Sequence, residues 1–288
     1  MKKNKKISFS TGQLPFRLTN DYLFRAVFQS RPKALEGLCR ALLHLSPEDT
    51  ISISVQNPIE LGKEISAKEF ILDLAVLIND YLLLNLEMQV CDESNWTDRS
   101  LSYVCRSFDN LNQGEKYNTV LPVTQVGFLS FSLFPEHPEF YATYQLMNTK
   151  SHYIYSDKFR ISVVNLKQIE LATEEDKKYG IDRWARLLTA TTWEEIDMLA
   201  QNNEYLQETV SGVRQLSAEE KIRQQCQARE DYLYWERIRK KQTERLQTQL
   251  ADAQAELASK DAEIANQKTE LDIKDAEIAR LKALLENK

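Results

Sequence analysis

Cysteine and histidine are scarce in this chain of 288 residues, with four of one and three of the other. Cys39, Cys91, Cys105 and Cys226 form no C-x-x-C pair, and no histidine stands close enough to them in sequence to complete a zinc set. Isolated, reduced thiols in a cytoplasmic protein fit that spacing, and His44, His137 and His152 read as structural or exposed side chains. No apolar run approaches the roughly 20 residues that span a bilayer, so no membrane partner is expected. The opening MKKNKKISFSTG carries the charge of a secretory leader without an apolar segment behind it, and residues 1–15 read as a disordered basic tail. An excess of positive charge is lacking too. Lys and Arg number 37 against 43 Asp and Glu, a formal net charge of -6 that argues against broad coating of nucleic acid yet leaves room for a local basic groove.

What is present suits a globular fold: 42% of residues are hydrophobic, with 12 Tyr, 11 Phe and 4 Trp to fill a core. Apolar residues at helical spacing predict a helix over residues 18–28, capped by Thr19 or Asn20, and a second from Pro32 to about Leu43. Alternation predicts strands at residues 51–55, 69–78 and 82–90, the last two joined at Asn79-Asp80. A helix is expected over residues 96–111, ended by Asn112-Gln113-Gly114, then strands within 120–134, 140–147 and 158–164. From about Asp182 the pattern is helical throughout. The expected class is therefore α/β, a mixed sheet flanked by helices, with a helical C-terminal region.

Leu250, Leu257, Ile264, Leu271, Ile278 and Leu285 recur every seven residues, the spacing of a coiled coil. The companion column, Leu246, Ala253, Lys260, Gln267, Lys274 and Leu281, is polar in its middle. In a parallel pair Glu263 would meet Lys268 and Glu277 would meet Lys282, but Glu256 would meet Asp261 and Glu270 would meet Asp275. Within one helix, Glu256 to Lys260 and Glu270 to Lys274 have the favourable i to i+4 order. Self-association through residues 246–285 and a solvated single helix both remain open.

Residues 70–90, FILDLAVLINDYLLLNLEMQV, place Asp73, Glu87 and Gln89 inside apolar strands, where a carboxylate is costly without a partner. Binding a hard cation is one reason for such an arrangement. Alternation sets a condition on it. With a strict two-residue loop at Asn79-Asp80, Ile78 would face Tyr81 and the two acids would point to opposite sides of the sheet. With a three-residue loop, Ile78 would face Leu82 and Asp73 would lie across from Glu87, within about 5 Å, with Gln89 projecting the same way. A surface hairpin with solvated acids is the simpler alternative.

The order of these features resembles the PD-(D/E)XK nuclease superfamily, specifically its recombination-promoting nuclease branch, whose members carry the label transposase. LTNDYLFRAVF (residues 18–28) is similar to that branch's opening helix, and VQNPIEL (55–61) to the segment before its core hairpin. KEFILDLAVL with NLEMQV is similar to its strand pair, in which E-x-Q replaces the commoner E-x-K. RSLSYVCRSFDNLNQGEKYNTVLPVTQVGFLSFSLF (99–134) resembles the helix and strand that follow.

The resemblance implies a nuclease core over residues 16–170, while the helical pattern and the heptads beyond it divide the rest into a helical extension over 171–240 and a coiled coil over 241–288. It implies a DNA endonuclease dependent on Mg²⁺ or Mn²⁺ and active in bacterial DNA transfer or in conflicts with mobile elements. Asp73 and Glu87 would bind the metal, Gln89 would stand where the superfamily has its catalytic Lys, and Asp21 would be an additional acid on the opening helix. DNA is the implied partner.

Arg99 and Arg106, seven residues apart, fall near one side of a helix with Tyr103 on the adjoining turn, and phosphates could bind there. Arg237, Lys240 and Lys241 form a denser basic patch. Both groups also read as ordinary charged helix surface. A non-enzymatic alternative keeps the nuclease-like domain for binding DNA or protein, with the coil as the working part. A glycosidase would use the same acids without metal.

Overall fold

The computed structural model describes residues 11–57, 74–109 and 116–286. Its contacts divide the chain into two units, residues 1–232 and 233–288. In the first unit, Asn20 caps α1 (Asp21–Ser30) by accepting a hydrogen bond from the Leu23 N–H at 3.2 Å. Every side chain from Asp21 to Phe28 is buried, so this helix lies inside the unit rather than along its surface. Phe24 packs on Phe28 with ring centroids 4.7 Å apart, and truncation of either ring would cost about 3–5 kcal/mol. α2 (Pro32–Leu42) opens with proline at a position where its missing N–H is not needed.

Six strands form one mixed sheet in the order β1-β2-β3-β4-β6-β5. β1 (Ile53–Val55), β2 (Leu74–Ile78) and β3 (Leu82–Gln89) are successive antiparallel neighbours. β3 then runs parallel to β4 (Val123–Leu129), and the crossover that a parallel pair requires contains α3 (Trp96–Phe108). β4 is parallel to β6 (Ile154–Asn165), and β5 (Tyr141–Met147) lies antiparallel at the edge. The expected helix over 96–111 is observed to Phe108, and Leu111 with the Asn-Gln-Gly terminator lies outside the described residues, as do residues 69–73 of the expected long strand.

The sheet has two unlike faces. On one, Leu74, Val76, Leu84, Leu86, Met88, Val126, Phe128 and Val164 join α1 and α2 in the main core. That core also takes in side chains of α5 (Ile181–Thr189), α6 (Trp193–Ala200) and α7 (Glu204–Ala218), which follow the short α4 (Glu174–Tyr179). On the other face, α3 covers two small apolar clusters, Trp96 with Leu129, Phe131 and Val163, and Val104 with Val123 and Ile161. Buried polar side chains share that second face.

α8 (Glu220–Glu286) begins in the first unit and makes up the second. In the second unit Leu246, Leu250, Leu257, Ile264, Leu271, Ile278 and Leu281 are all exposed, and Lys260 pairs with Glu256 at 2.5 Å in the expected i to i+4 order. No helix of the described residues is long and apolar enough to cross a membrane.

Candidate active site

The β2–β3 connection meets the condition for the odd register. Ile78 lies opposite Leu82, and the pairing continues through Val76 with Leu84 to Leu74 with Leu86. Asn79 and Asp80 take left-handed φ values of 51° and 53°, which their short polar side chains tolerate. Tyr81 N–H then bonds the Ile78 carbonyl at 3.0 Å, and Tyr81 is the extra residue that shifts the ladder. The turn is tied to its neighbour strand: Asn79 Oδ1 accepts from the Ser52 N–H at 2.7 Å, while the Asn79 N–H donates to the Ser52 carbonyl at 3.0 Å. Asp73 lies outside the described residues.

With Leu84, Leu86 and Met88 committed to the main core, strand alternation turns Asn85, Glu87 and Gln89 toward α3. Glu87 is only 2% exposed. Arg99 on α3 reaches its Oε1 at 2.8 Å, and Gln125 Nε2 on β4 donates to its Oε2 at 3.1 Å. A buried carboxylate met by a guanidinium and an amide N–H avoids most of the cost of desolvation. Arg99 also lies over the Tyr103 ring, 5.4 Å from its centroid, and 3.9 Å from Glu93. Gln89, two residues along the same face, donates through Nε2 to the Cys91 carbonyl at 2.9 Å.

Close approach of α3 to the sheet depends on Gly127, which is paired with Glu87 across the parallel ladder. A Cβ there would stand 2.2 Å from the Trp96 ring, so only glycine leaves room for the indole that anchors the start of α3. Trp96 thereby sets the level on the helix from which Arg99, one turn later, meets the carboxylate.

The other residues singled out from the sequence stand elsewhere. Asp21 is 3% exposed, and both its carboxylate oxygens accept from Arg229 Nε, at 2.8 and 2.7 Å, with a further contact from the guanidinium terminus. Burial raises its pKa above 3.8, opposed by the Arg229 guanidinium and by the Tyr22 N–H. Its observed engagement is thus with α8 inside the first unit. Arg106 is exposed on α3. Arg237, Lys240 and Lys241 lie on α8 in the second unit, where Lys240 is 4.0 Å from Glu244. Gln125 was not singled out from the sequence. Its signal there is of the same kind as that of Glu87, a polar side chain inside the apolar run of VTQVGFL.

Among the described residues, no three or more His, Cys, Asp or Glu side chains gather as a metal cluster. Mg²⁺ does not require one, since it commonly takes one or two carboxylates and keeps several waters.

The family model for PD-(D/E)XK nuclease family transposases matches residues 18–244. The chain belongs to that family, and the mixed sheet with flanking helices is in keeping with it. No curated protein and no solved structure matches the chain.

Proposed function

We propose that this chain is a DNA endonuclease dependent on a divalent cation, Mg²⁺ or Mn²⁺, that hydrolyses phosphodiester bonds during recombination or mobile-element processes in the bacterial cytoplasm. The observation that carries the reading is the β2–β3 register. Leu74 pairs with Leu86, and this is the three-residue-loop register that the cooperation of Asp73 with Glu87 requires. Family membership supports nuclease chemistry, and four free cysteines are in keeping with a reducing compartment.

The residues present fit a hard cation. Glu87 offers carboxylate oxygens in a setting so enclosed that a positive group already faces it, and Gln89 and Gln125 bring further oxygen donors to the same face. In this reading Asp73 and Glu87 would hold the ion, which would supply a water of lowered pKa and neutralise charge on the phosphodiester. Gln89 orients the attacking water through its amide. Arg99, stacked over Tyr103, would offer its guanidinium to the phosphate. Arg106, and Arg237 with Lys240 and Lys241, add backbone contacts to the duplex. A second copy docks through residues 246–285 and brings a second nuclease core. Asp21 anchors α1 to α8 through Arg229.

Supercoiled plasmid tests the reading. Nicking should require Mg²⁺ or Mn²⁺, stop with chelator, and fall roughly a hundredfold or more in Asp73→Ala and in Glu87→Ala. Absence of nicking, indifference to chelator, or parental activity in Asp73→Ala would overturn it.

A further inference from the structure

Gln125 is fully enclosed, at 0% exposure, on the face that carries Glu87. β4 runs parallel to β3 with Gln125 opposite Asn85 and Gly127 opposite Glu87, so the amide reaches the carboxylate diagonally, two residues along the ladder on the same face. Arg99 from α3 holds one carboxylate oxygen and Gln125 from β4 holds the other. Contacts from two elements, α3 and β4, therefore bear on the plane of Glu87.

The remaining amide atom poses a question. Oε1 of Gln125 is buried and takes no hydrogen bond among the described residues, and the same is true of Nε1 of Trp96, whose ring covers Gly127. The amide cannot profitably turn round, because Oε1 would then face a carboxylate oxygen. A buried oxygen left unmatched costs about 1–3 kcal/mol, a cost that an apolar side chain would avoid. The two flanking positions on the same face of β4 are apolar or empty of side chain, Val123 and Gly127. A group that is costly at rest, beside the candidate metal carboxylate, is accounted for if it is satisfied when the site is loaded.

We infer that Gln125 is a positioning residue of the Glu87 site: its Nε2 holds the carboxylate in orientation, and its Oε1 accepts a hydrogen bond from a water carried by the bound cation. This rests on the reading of Glu87 as a cation ligand.

Mn²⁺ titration of the full chain, followed by the electron paramagnetic resonance of free Mn²⁺, tests it without recourse to activity, with melting temperature read in parallel. The parent should bind Mn²⁺, and Glu87→Gln should not. Gln125→Leu should bind it about 10–100-fold more weakly, as outer-shell partners of metal ligands do. Gln125→Glu keeps the reach of the side chain but sets a second carboxylate beside Glu87. It should melt lower than the parent without metal, and Mn²⁺ should raise its melting temperature by more than the parent's, because a cation relieves like-charge repulsion. Parental affinity in Gln125→Leu, with Glu87→Gln impaired, would overturn the inference and leave the site reading standing. If Gln125→Leu does not fold, Gln125→Glu decides, and a Mn²⁺-induced rise no larger than the parent's overturns the inference. A parent that binds no Mn²⁺, or a Glu87→Gln variant that binds as well as the parent, removes the site reading and this inference with it.

Discussion

Ile78 stands directly opposite Leu82, although three residues separate them in sequence, and that one pairing sets which side of the sheet receives Glu87. The two left-handed residues of the turn should answer differently to glycine. Asp80→Gly removes backbone strain at φ 53° and should be neutral or stabilising by up to about 0.5 kcal/mol. Asn79→Gly removes comparable strain but also the bond to the Ser52 N–H, and should cost about 1 kcal/mol. Urea unfolding midpoints of the two variants check the ranking.

Gly127→Ala should destabilise the protein by about 1–3 kcal/mol, since its Cβ would drive the Trp96 ring off the sheet. Combining it with Trp96→Leu should recover part of that loss. Thermal unfolding of the single and double variants tests whether the clash is with the indole.

Asp21 and Arg229 form a buried pair whose partners were drawn from helices 208 positions apart. Asp21→Asn leaves a guanidinium without its counter-charge and should cost about 3 kcal/mol or more. Replacing both, as Asp21→Leu with Arg229→Met, should cost much less, and a double-mutant cycle in unfolding free energy measures the coupling.

Thiol labelling should divide the four cysteines evenly. Burial pushes the Cys226 thiol up to about 12 and Cys39 higher still, so both are almost wholly protonated at pH 8. Cys105 is exposed and Cys91 half-buried. Native protein at pH 8 should show two reactive thiols, and denatured protein four.

If residues 246–285 join two copies, the lysines of the seam weaken the joint. Lys260→Leu and Lys274→Leu should each tighten self-association about tenfold or more, from the apolar surface added to the seam. Sedimentation equilibrium of the full chain measures this, and an unchanged monomer would speak for a solvated single helix.

Much of this architecture was legible because local signals agreed with one another. Asn20 before an apolar run, Pro32 at a helix start and the alternation of residues 82–90 each carry their own physical cause, and the elements fall within a few residues of expectation. β4 is shorter than its apolar run and β6 longer, because strand ends are set by neighbours, Phe159 beside Val123 and Asn165 beside Leu129. The register of the hairpin was not legible, since both loops satisfied the pattern and the choice fell on whether Tyr81 joins the ladder. Gln125 escaped notice for a different reason. Its contact with Glu87 spans 38 positions and a parallel crossover, and no local periodicity encodes which residues face each other across such a pair. Arg99 was visible as a cation on the correct helix, but its carboxylate partner became evident only from the packing of Trp96 on Gly127.

The crossover from β3 through α3 to β4 bears on how this site could survive change elsewhere. Glu87, Gln89, Arg99 and Gln125 all belong to this single β-α-β segment, and their mutual contacts close within it. The Asn148 to His152 turn and the helix beyond residue 245 both lie outside this segment of sequence. Such a module can acquire new appendages, and with them new targets, while Arg99 and Gln125 stay beside its carboxylate.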